Sequence, residues 1–406
     1  MPEQKRLLFL NRSFYPDVEA TGQLLTQLCE DLAQDFHIQV ICGNPVYRRV
    51  RTLKPISKSQ HGRIITWRIN STSLPKKYFW ARFLNLLTYF MGCLIWALLL
   101  KKTDMVIAET DPPLLASIAY LLSRLRRSVF LYYPQDIWPE AGIVNKRLTN
   151  PVLTNILRSV NGFLYREANQ IIVPGADMKD RLVKDHSLPP DKITVVENWT
   201  DPEEVYPVKR EDNDFLRTHG LEKKFVVMYS GNIGLSQDLE NVVAAADGLR
   251  GYEEIIFILV GEGALKEALI KMASSRKLEN IKFLPYQQKR CLKYSLNAAH
   301  IHLIPLKRGM KGIIVPSKVY GIMAASKPFI AAVDEGSEID SVVKRFGCGL
   351  VVKPSAVEAL KKAVLWAFRN QEQIEMMGQQ GRKAFEVHYT RAICTQKFRS
   401  LLNSLI

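Results

Sequence analysis

The chain has 406 residues, of which 47% are apolar and 24% are charged, a composition that excludes a large disordered or fibrous part. Its length predicts more than one domain, since domains commonly contain roughly 100–200 residues. The six cysteines lack the spacing of a metal site or a disulfide framework, which favours reduced thiols, a cytoplasmic chain and no structural metal. The net charge of +16 indicates an anionic partner.

The amino terminus, MPEQKRLLFLNRSFYP, has only a short apolar run before polar and turn residues. It therefore predicts a first strand and not a signal peptide. In the following stretch YPDVEATGQLL, Gly22 lies at the start of a predicted helix. Because open α/β sheets bind ligands at the carboxyl ends of their strands, Gly22 is a candidate site residue.

A basic and apolar region covers about residues 45–102. No acidic residue occurs between Asp35 and Asp104, whereas twelve lysines and arginines do. Inside it, 83–100 is an uncharged stretch of eighteen residues, about 27 Å long as a helix against roughly 30 Å for a bilayer core. An interfacial helix, a buried helix and a membrane span are all open, and the interfacial helix is favoured because the flanking strands belong to one sheet. In an interfacial arrangement, anionic head groups are expected to contact Arg48, Arg49, Arg51 and Lys54.

Short β-branched runs alternate with helical stretches along the chain, which is the pattern of doubly wound parallel sheets. The first series of predicted strands is 6–11, 38–42, 64–69, 104–109, 129–133, 170–174 and 193–198. The second series is 224–232, 254–263, 280–285, 301–306, 328–333 and 349–352. The segment 198–214 has two prolines and no periodicity, so the predicted domains are 1–200 and 201–385. The chain is almost wholly helical after Pro354, and a last helix at 386–406 is expected to pack back toward the first domain.

Carboxylates follow two predicted strands of the first half. Asp136 and Glu140 lie in YYPQDIWPE, and Glu109 and Asp111 lie in ETDPP. Carboxylates on loops at strand ends bind substrates or accept protons in many enzymes, and solvated loop acids are the alternative. Asp136 and Glu140 are therefore candidate catalytic residues, with Glu109 and Asp111 in the same class.

Two glycine loops follow predicted strands of the second half. In SGNIGLSQDLE, Gly231 and Gly234 precede a helix, and VGEGALKE repeats the arrangement. Glycines let backbone N–H groups approach a phosphate whose charge the helix dipole favours, whereas the alternative is a tight turn. Since both loops end strands of one domain, we expect them to meet at one ligand. Neither half has the G-x-G-x-x-G fingerprint of dinucleotide-binding proteins.

The stretch VPSKVYGIMAASKP (315–328) adds a third loop at a strand end. Ser317 is placed to cap a helix, and Lys318 lies in its first turn. A lysine is more favourable near a helix C-terminus. Its position predicts an anion nearby, for which a diphosphate is the natural candidate.

Together these segments resemble the GT-B glycosyltransferases of family 4, in particular the bacterial branch that builds colanic acid, O-antigen and capsule repeat units. The resemblance covers nearly the whole chain, through FYPDVEATGQLLTQLCEDLA, YPQDIWPE, ITVVENWTD, YSGNIGLSQDLENVVAAA, VGEGALKEAL and VPSKVYGIMAASKP. It implies two Rossmann-like doubly wound domains that face a central cleft, with C-terminal closing helices. It further implies a retaining, metal-independent transfer, without cofactor, from a nucleotide-sugar, usually a UDP-sugar, to a lipid-linked glycan acceptor at the inner membrane face.

The resemblance also implies roles for particular residues. Gly22, Glu109 and Asp111 are expected on the acceptor side with Asp136 and Glu140. The donor contacts are expected from Gly231, Asn232, Gly234, Gln237, Gly261, Glu262, Gly263, Tyr286, Ser317, Lys318 and Gly321. Nucleic acid is not an expected partner, since no nucleic-acid motif occurs.

Four positions depart from the family's pattern. Asn232 and Gln237 stand where many relatives have an arginine and a lysine, and Ile313 and Gly321 stand where many have glutamates. Two alternatives therefore remain, a non-catalytic relative in a polysaccharide assembly complex and a nucleotide-sugar epimerase of the same fold. Without the missing cations, backbone amides and Lys318 are expected to hold the diphosphate.

Overall fold

The structure, a computed structural model, describes residues 4–45, 55–74 and 79–405. The chain forms two compact units. Unit 1 contains the chain up to Glu140, then Leu148–Glu197 and the chain from Thr395 onward, and unit 2 contains Ala141–Arg147 and Asn198–Cys394. The cations expected to contact head groups, Arg48, Arg49, Arg51 and Lys54, lie outside the described residues.

Unit 1 is built on an eight-stranded sheet with the order β3-β4-β2-β1-β5-β6-β7-β8. All neighbouring strands are parallel except β3 and β4. The order reverses between β1 and β5, where open sheets bind ligands at their carboxyl edge. The strands are β1 (Arg6–Leu10), β2 (His37–Gly43), β3 (Ile56–His61), β4 (Ile64–Ile69), β5 (Met105–Glu109), β6 (Val129–Tyr133), β7 (Gln170–Val173) and β8 (Ile193–Val195).

The sequence predicts every strand of this sheet except β3. Its residues, ISKSQH, are mostly polar and largely exposed, and such a strand is hard to distinguish from a loop by hydrophobic pattern. It lies at the edge of the sheet and pairs with β4 in a hairpin. Gly62 stands in the turn with a φ of +56°, a conformation that favours glycine.

Unit 2 is built on a six-stranded, wholly parallel sheet with the order β11-β10-β9-β12-β13-β14. All six predicted strands are confirmed. Every residue of β10 and β12 is buried, as expected where helices cover both faces of a sheet. The order reverses between β9 and β12. The strands are β9 (Phe225–Ser230), β10 (Ile255–Val260), β11 (Ile281–Leu284), β12 (Ile301–Pro305), β13 (Phe329–Ala332) and β14 (Gly349–Val352).

Helices connect the parallel strands. Those up to β8 are α1 (Ala20–Leu32), α2 (Phe79–Leu99), α3 (Ala116–Arg126), α4 (Glu140–Val144), α5 (Pro151–Glu167) and α6 (Ala176–His186). The next are α7 (Asp214–His219), α8 (Leu239–Gly248), α9 (Lys266–Ser275), α10 (Leu292–Ala298), α11 (Lys318–Ala324) and α12 (Glu338–Phe346). The predicted helical end of the chain is confirmed as α13 (Val357–Arg369), α14 (Gln371–His388) and α15 (Arg391–Leu405).

Most of α15 belongs to unit 1, where ion pairs and an aromatic contact hold it. Arg399 Nε lies 2.8 Å from a carboxylate oxygen of Asp35, and Lys397 Nζ lies 2.6 Å from Glu197. The ring of Phe398 packs edge-on against Tyr133 at 5.4 Å between centroids. These contacts fix the last helix to unit 1.

Helix α2 contains most of the apolar stretch and has two different faces. Ala81, Tyr89, Cys93 and Ala97 are fully buried. The other side exposes large apolar side chains, which are Trp80, Phe83, Leu84, Leu86, Leu87, Met91, Ile95, Leu98 and Leu99. Within the described ranges, no helix combines the length and the apolar character needed to cross a membrane. The helix is therefore not wholly buried.

Candidate functional site

Backbone contacts join the two glycine loops of unit 2. Gly231 and Gly261 follow β9 and β10, and their φ angles are +142° and +145°. A methyl group on Gly261 would lie 1.9 Å from the carbonyl oxygen of Gly231, and one on Gly263 would lie 2.3 Å from that of Ile233. The Ile233 N–H donates to the Glu262 carbonyl at 2.8 Å. The loops thus form one surface at the carboxyl edge, beside the strand reversal.

Lys318 reaches this surface from the first turn of α11. Its Nζ lies 3.7 Å from the centre of the Tyr229 ring and 3.0 Å from where a methyl group on Gly231 would stand. This nitrogen is buried, and it has no hydrogen-bond partner among the described residues. Burial lowers the pKa of Lys318 to about 7. A buried cation without a partner is unfavourable, so the site is suited to an anion that supplies the missing charge.

Two polar side chains stand beside the first loop. Asn232 is exposed, and its backbone carbonyl accepts a 2.6 Å hydrogen bond from the Tyr229 hydroxyl. Gln237 Oε1 is buried and has no hydrogen-bond partner within the described part of the chain. A methyl group on Gly234 would lie 2.9 Å from the Asn232 amide nitrogen and 3.0 Å from Gln237 Oε1. The absence of a side chain at Gly234 therefore leaves both amides room at the loop.

The second loop is held by Lys266, the first residue of α9. Its Nζ donates to the carbonyl of Gly261 at 2.9 Å and pairs with the Glu262 carboxylate at 2.7 Å. The exposed Tyr286 stands just beyond the next strand, β11. Glu262 and Tyr286 therefore lie at the same edge of the sheet as the glycines.

The prediction that Ser317 caps α11 is wrong. Ser317 directly precedes the helix, but its φ of −57° and ψ of −19° are helical and its side chain makes no capping hydrogen bond. Gly321 lies one turn after Lys318. A methyl group there would be 3.4 Å from Leu296 Cδ1 and 3.7 Å from Thr200 Oγ1, which are ordinary contacts. Its φ, unlike that of Gly231 or Gly261, does not require glycine.

In unit 1, Asp111 is the centre of a network at the carboxyl edge. Arg12 Nη2 lies 3.1 Å from its carboxylate, and the Ser13 hydroxyl is 3.0 Å from Asp111 and 2.8 Å from Glu19. A methyl group on Gly22 would lie 3.1 Å from Ser13 Cβ, so that glycine lets α1 pack closely on the loop after β1. Arg12 and Ser13 were not predicted, although they directly follow the first strand.

Two acids close to Asp111 have raised pKa values. Burial, and then repulsion from Asp111, raise the pKa of Asp136 to about 6. The same causes raise the pKa of the fully buried Glu109 well above its ordinary range, and its Oε2 has no hydrogen-bond partner among the described residues. Burial therefore favours the neutral form of Glu109, whereas Asp136 changes protonation at about pH 6.

Glu140 stands in a different environment. Its carboxylate accepts a 2.9 Å hydrogen bond from Arg158 Nε on α5. The structure therefore brings Glu109, Asp111 and Asp136 together, but it pairs Glu140 with a helical arginine. In the described ranges, no group of three or more histidine, cysteine, aspartate or glutamate side chains is arranged to hold a metal ion.

Comparison with known proteins assigns a family to each half of the chain. The model of "Glycosyltransferase Family 4" matches residues 22–204, and that of "Glycosyl transferases group 1" matches residues 212–384. Together the two matches cover most of the chain, with all strands of unit 2 and most of those of unit 1.

Two similar sequences and one solved structure are compared with this chain. The glycosyltransferase WbjE of Pseudomonas aeruginosa is 28% identical over 75% of this chain and 76% of its own length. WcaI of Escherichia coli K12, named for colanic acid biosynthesis as a glycosyl transferase, is 27% identical over 87% of this chain and 90% of its own. The solved structure of HepE from Anabaena with UDP shares the fold, with a TM-score of 0.72, 14% identity and coverage of 98% and 100%.

Proposed function

This chain belongs to the GT-B glycosyltransferases of family 4, and from that membership we propose that it transfers a sugar from a UDP-sugar to a lipid-linked glycan. It is an enzyme, a glycosyltransferase of bacterial polysaccharide biosynthesis. The proposal adds the donor, the acceptor and the place of reaction, which is the anionic inner face of the plasma membrane. The names of the similar proteins give no support to an epimerase or a non-catalytic relative.

The unpaired ammonium group of Lys318 carries the proposal for the donor. It is buried beside Gly231, at the reversal of strand order where open sheets bind ligands. A diphosphate placed there supplies the counter-charge and restores the ordinary pKa of the lysine. Many relatives have an arginine and a lysine at the positions of Asn232 and Gln237, and in this chain Lys318 takes over the role of those cations. The UDP bound by HepE, a protein of the same fold, is consistent with this ligand.

Chemistry at this site requires stabilisation of the departing diphosphate. As the bond to the sugar breaks, negative charge grows on the leaving oxygen, and a fixed cation in a site without water lowers the energy of that state. Lys318 is the cation, and the backbone of the glycine loops approaches the phosphates without steric hindrance. We propose that this occurs without a metal ion and with retention of configuration at the sugar.

The acceptor is proposed to meet the edge of unit 1. Asp136 is the candidate to accept the proton of the attacking hydroxyl, because a pKa of about 6 keeps it mostly ionised at neutral pH yet basic. The Arg12–Asp111 ion pair holds the neighbouring charge in a fixed place. Glu140, paired with Arg158, is not needed for this step.

Calorimetric titration with UDP tests the donor site. We expect Lys318→Met to lower the affinity for UDP at least tenfold, because a charge-assisted contact with a phosphate is lost. The matched control is Lys327→Met. Lys327 is another largely buried lysine of unit 2, lies just before β13, and has a pKa lowered to about 8. Equal affinities of the two variants would remove Lys318 from the donor site.

The exposed side of α2 carries the proposal for the membrane. Met91, Ile95 and Leu98 are between 42% and 53% exposed and lie on one face at helical spacing. We expect their joint replacement by glutamine to reduce binding to anionic vesicles at least tenfold, since each apolar side chain favours the lipid. Met376→Gln with Val387→Gln on α14 is the control, because those apolar side chains are even more exposed, at 60% and 63%. Unchanged binding of the α2 variant would contradict the interfacial helix.

Transfer itself is measured with radiolabelled UDP-sugars and membrane extracts. Binding of UDP alone is measured in parallel by the calorimetric titration described above. Incorporation of label into the lipid fraction is the expected result. Binding of UDP without transfer to any lipid-linked acceptor would contradict the proposed acceptor and leave the donor site standing.

A further inference from the structure

A groove of about 470 Å³ lies between α5 and α6 in unit 1. Three arginines line it, Arg158 and Arg166 from α5 and Arg181 from α6, together with the carboxylates of Glu140 and Asp185. Arg158 is paired with Glu140 and Arg181 with Asp185. Three guanidinium groups against two carboxylates leave the groove with one excess positive charge.

Arg166 is the source of that excess. Its side chain is exposed, and among the described residues its guanidinium has no hydrogen-bond or ion-pair partner. A methyl group on Gly162 would lie 3.5 Å from Arg166 Nη1 and 3.1 Å from His186 Nδ1. Gly162 therefore leaves the floor of the groove open to both side chains. Burial lowers the pKa of His186, which favours the neutral form of its ring.

The groove borders an apolar surface. Val152, Ile156 and Phe163 are 67%, 55% and 40% exposed and form a row along α5. Ile156 precedes Ser159, and Phe163 precedes Arg166, by three residues. Because residues three apart are neighbours on a helix, the apolar row runs directly beside the groove wall.

The apolar surface continues toward α2. Phe163 packs edge-on against Tyr120 of α3 at 5.0 Å between ring centroids. Helix α3, which packs against both α2 and α5, exposes Leu121 and Leu125. Arg126 donates to the carbonyl of Leu98 at the end of α2 at 2.8 Å. Three helices that pack in succession, α2, α3 and α5, thus each expose apolar side chains, and the cationic groove lies beside the last of them.

We propose that this groove binds the phosphate group of a membrane lipid whose hydrocarbon chains lie on the neighbouring apolar face. Guanidinium groups match phosphate oxygens in geometry and charge. A soluble anion would gain nothing from the exposed Val152, Ile156 and Phe163, whereas a lipid uses both parts of the surface. The inference rests on the proposed action at a membrane, and it adds a site for an individual lipid.

Two lipids carry the required chemistry, an anionic phospholipid of the bilayer and the lipid diphosphate of the acceptor. Glu140, at one end of the groove, follows the acceptor candidate Asp136 by four residues. The groove lining thus includes a residue close in sequence to the acceptor candidate, which makes the acceptor's own lipid diphosphate one of the two lipids to test. The test has one arm for each lipid.

Binding is measured by flotation with vesicles of phosphatidylcholine containing either phosphatidylglycerol or a polyprenyl diphosphate. The variants are Arg166→Gln, which removes the unpaired charge, and Ser159→Glu, which adds a negative charge to the exposed wall. Arg369→Gln on α13 is the control, because it removes an exposed arginine of unit 2. Circular dichroism melting shows that the three variants are folded.

We expect Arg166→Gln to weaken binding about fivefold and Ser159→Glu about tenfold or more, with Arg369→Gln unchanged. Loss confined to phosphatidylglycerol vesicles identifies a bilayer head group as the ligand, and loss confined to the diphosphate identifies the acceptor. Equal binding of all variants to both vesicles would overturn the proposal. Vesicle binding that depends on the groove without any sugar transfer would contradict only the proposed function.

Discussion

The two sheets expose different kinds of ligand surface at their carboxyl edges. In unit 2 the surface is made of backbone, with Gly231 and Gly261 in contact and one buried lysine that has no hydrogen-bond partner or counter-ion in the described part of the chain. In unit 1 it is made of side chains, with Asp111 held by Arg12 and Ser13. A network that satisfies its own charges keeps its geometry without ligand, whereas an uncompensated charge is complete only when an anion binds.

The backbone surface is broken most strongly at Gly261. In Gly261→Ala the added methyl group would lie 1.9 Å from the Gly231 carbonyl oxygen, at a φ of +145°. We expect the free energy of unfolding of unit 2 to fall by about 3 kcal/mol or more. Gly251→Ala is the control, because no atom lies within 4 Å of the added group, and its effect should stay within about 0.5 kcal/mol. Urea unfolding measures both, and similar values would show that the loops are not in contact.

The side-chain surface is tested at Asp136. We expect Asp136→Asn to lower kcat about a hundredfold with little change in UDP affinity, because the amide cannot accept the acceptor's proton. In the wild type, kcat should rise with pH through about 6 as the carboxylate ionises. If Asp136→Asn keeps this pH dependence of kcat, the dependence arises from another group. Glu140→Gln, which changes a carboxylate paired with Arg158, is the comparison and should retain most activity.

The uncompensated charge is tested by stability without ligand. A buried lysine with a lowered pKa destabilises the folded state fully below about pH 7, and this penalty declines as the pH rises from 7 toward 10.5. We therefore expect Lys318→Met to raise the free energy of unfolding by about 2 kcal/mol at pH 6 and by less at pH 9. Arg12→Gln should lower it instead, because Asp111 loses its partner. Destabilisation by Lys318→Met at pH 6 would mean that the lysine is already compensated.

The smallest effect is expected at Gly321. An alanine there would make only ordinary contacts with Leu296 and Thr200, and alanine favours a helix over glycine by up to about 1 kcal/mol. Gly321→Ala should therefore leave UDP affinity within twofold and stability equal or slightly higher. A tenfold loss of affinity would show that the donor's ribose lies directly against this position.

Much of both surfaces follows from the sequence. Buried parallel strands have nearly continuous apolar runs, so thirteen of the fourteen strands found among the described residues are recognisable. The ends of these strands locate Gly231, Gly261, Glu109, Asp111 and Asp136. β3 is missed because its residues are polar and exposed. The prediction that Ser317 caps α11 is wrong because capping depends on a backbone conformation that residue type does not determine.

The sequence by itself determined two doubly wound sheets, the glycine loops and the apolar helix, because apolar periodicity and glycine positions are local properties of the chain. Only the tertiary structure decided that Lys318 reaches Gly231 across 87 positions of sequence, that Arg12 neutralises Asp111, and that Glu140 belongs to a groove with Arg158. It also decided which side of α2 is exposed. Burial, pairing and pKa values arise from contacts between distant segments, and no local pattern encodes such contacts.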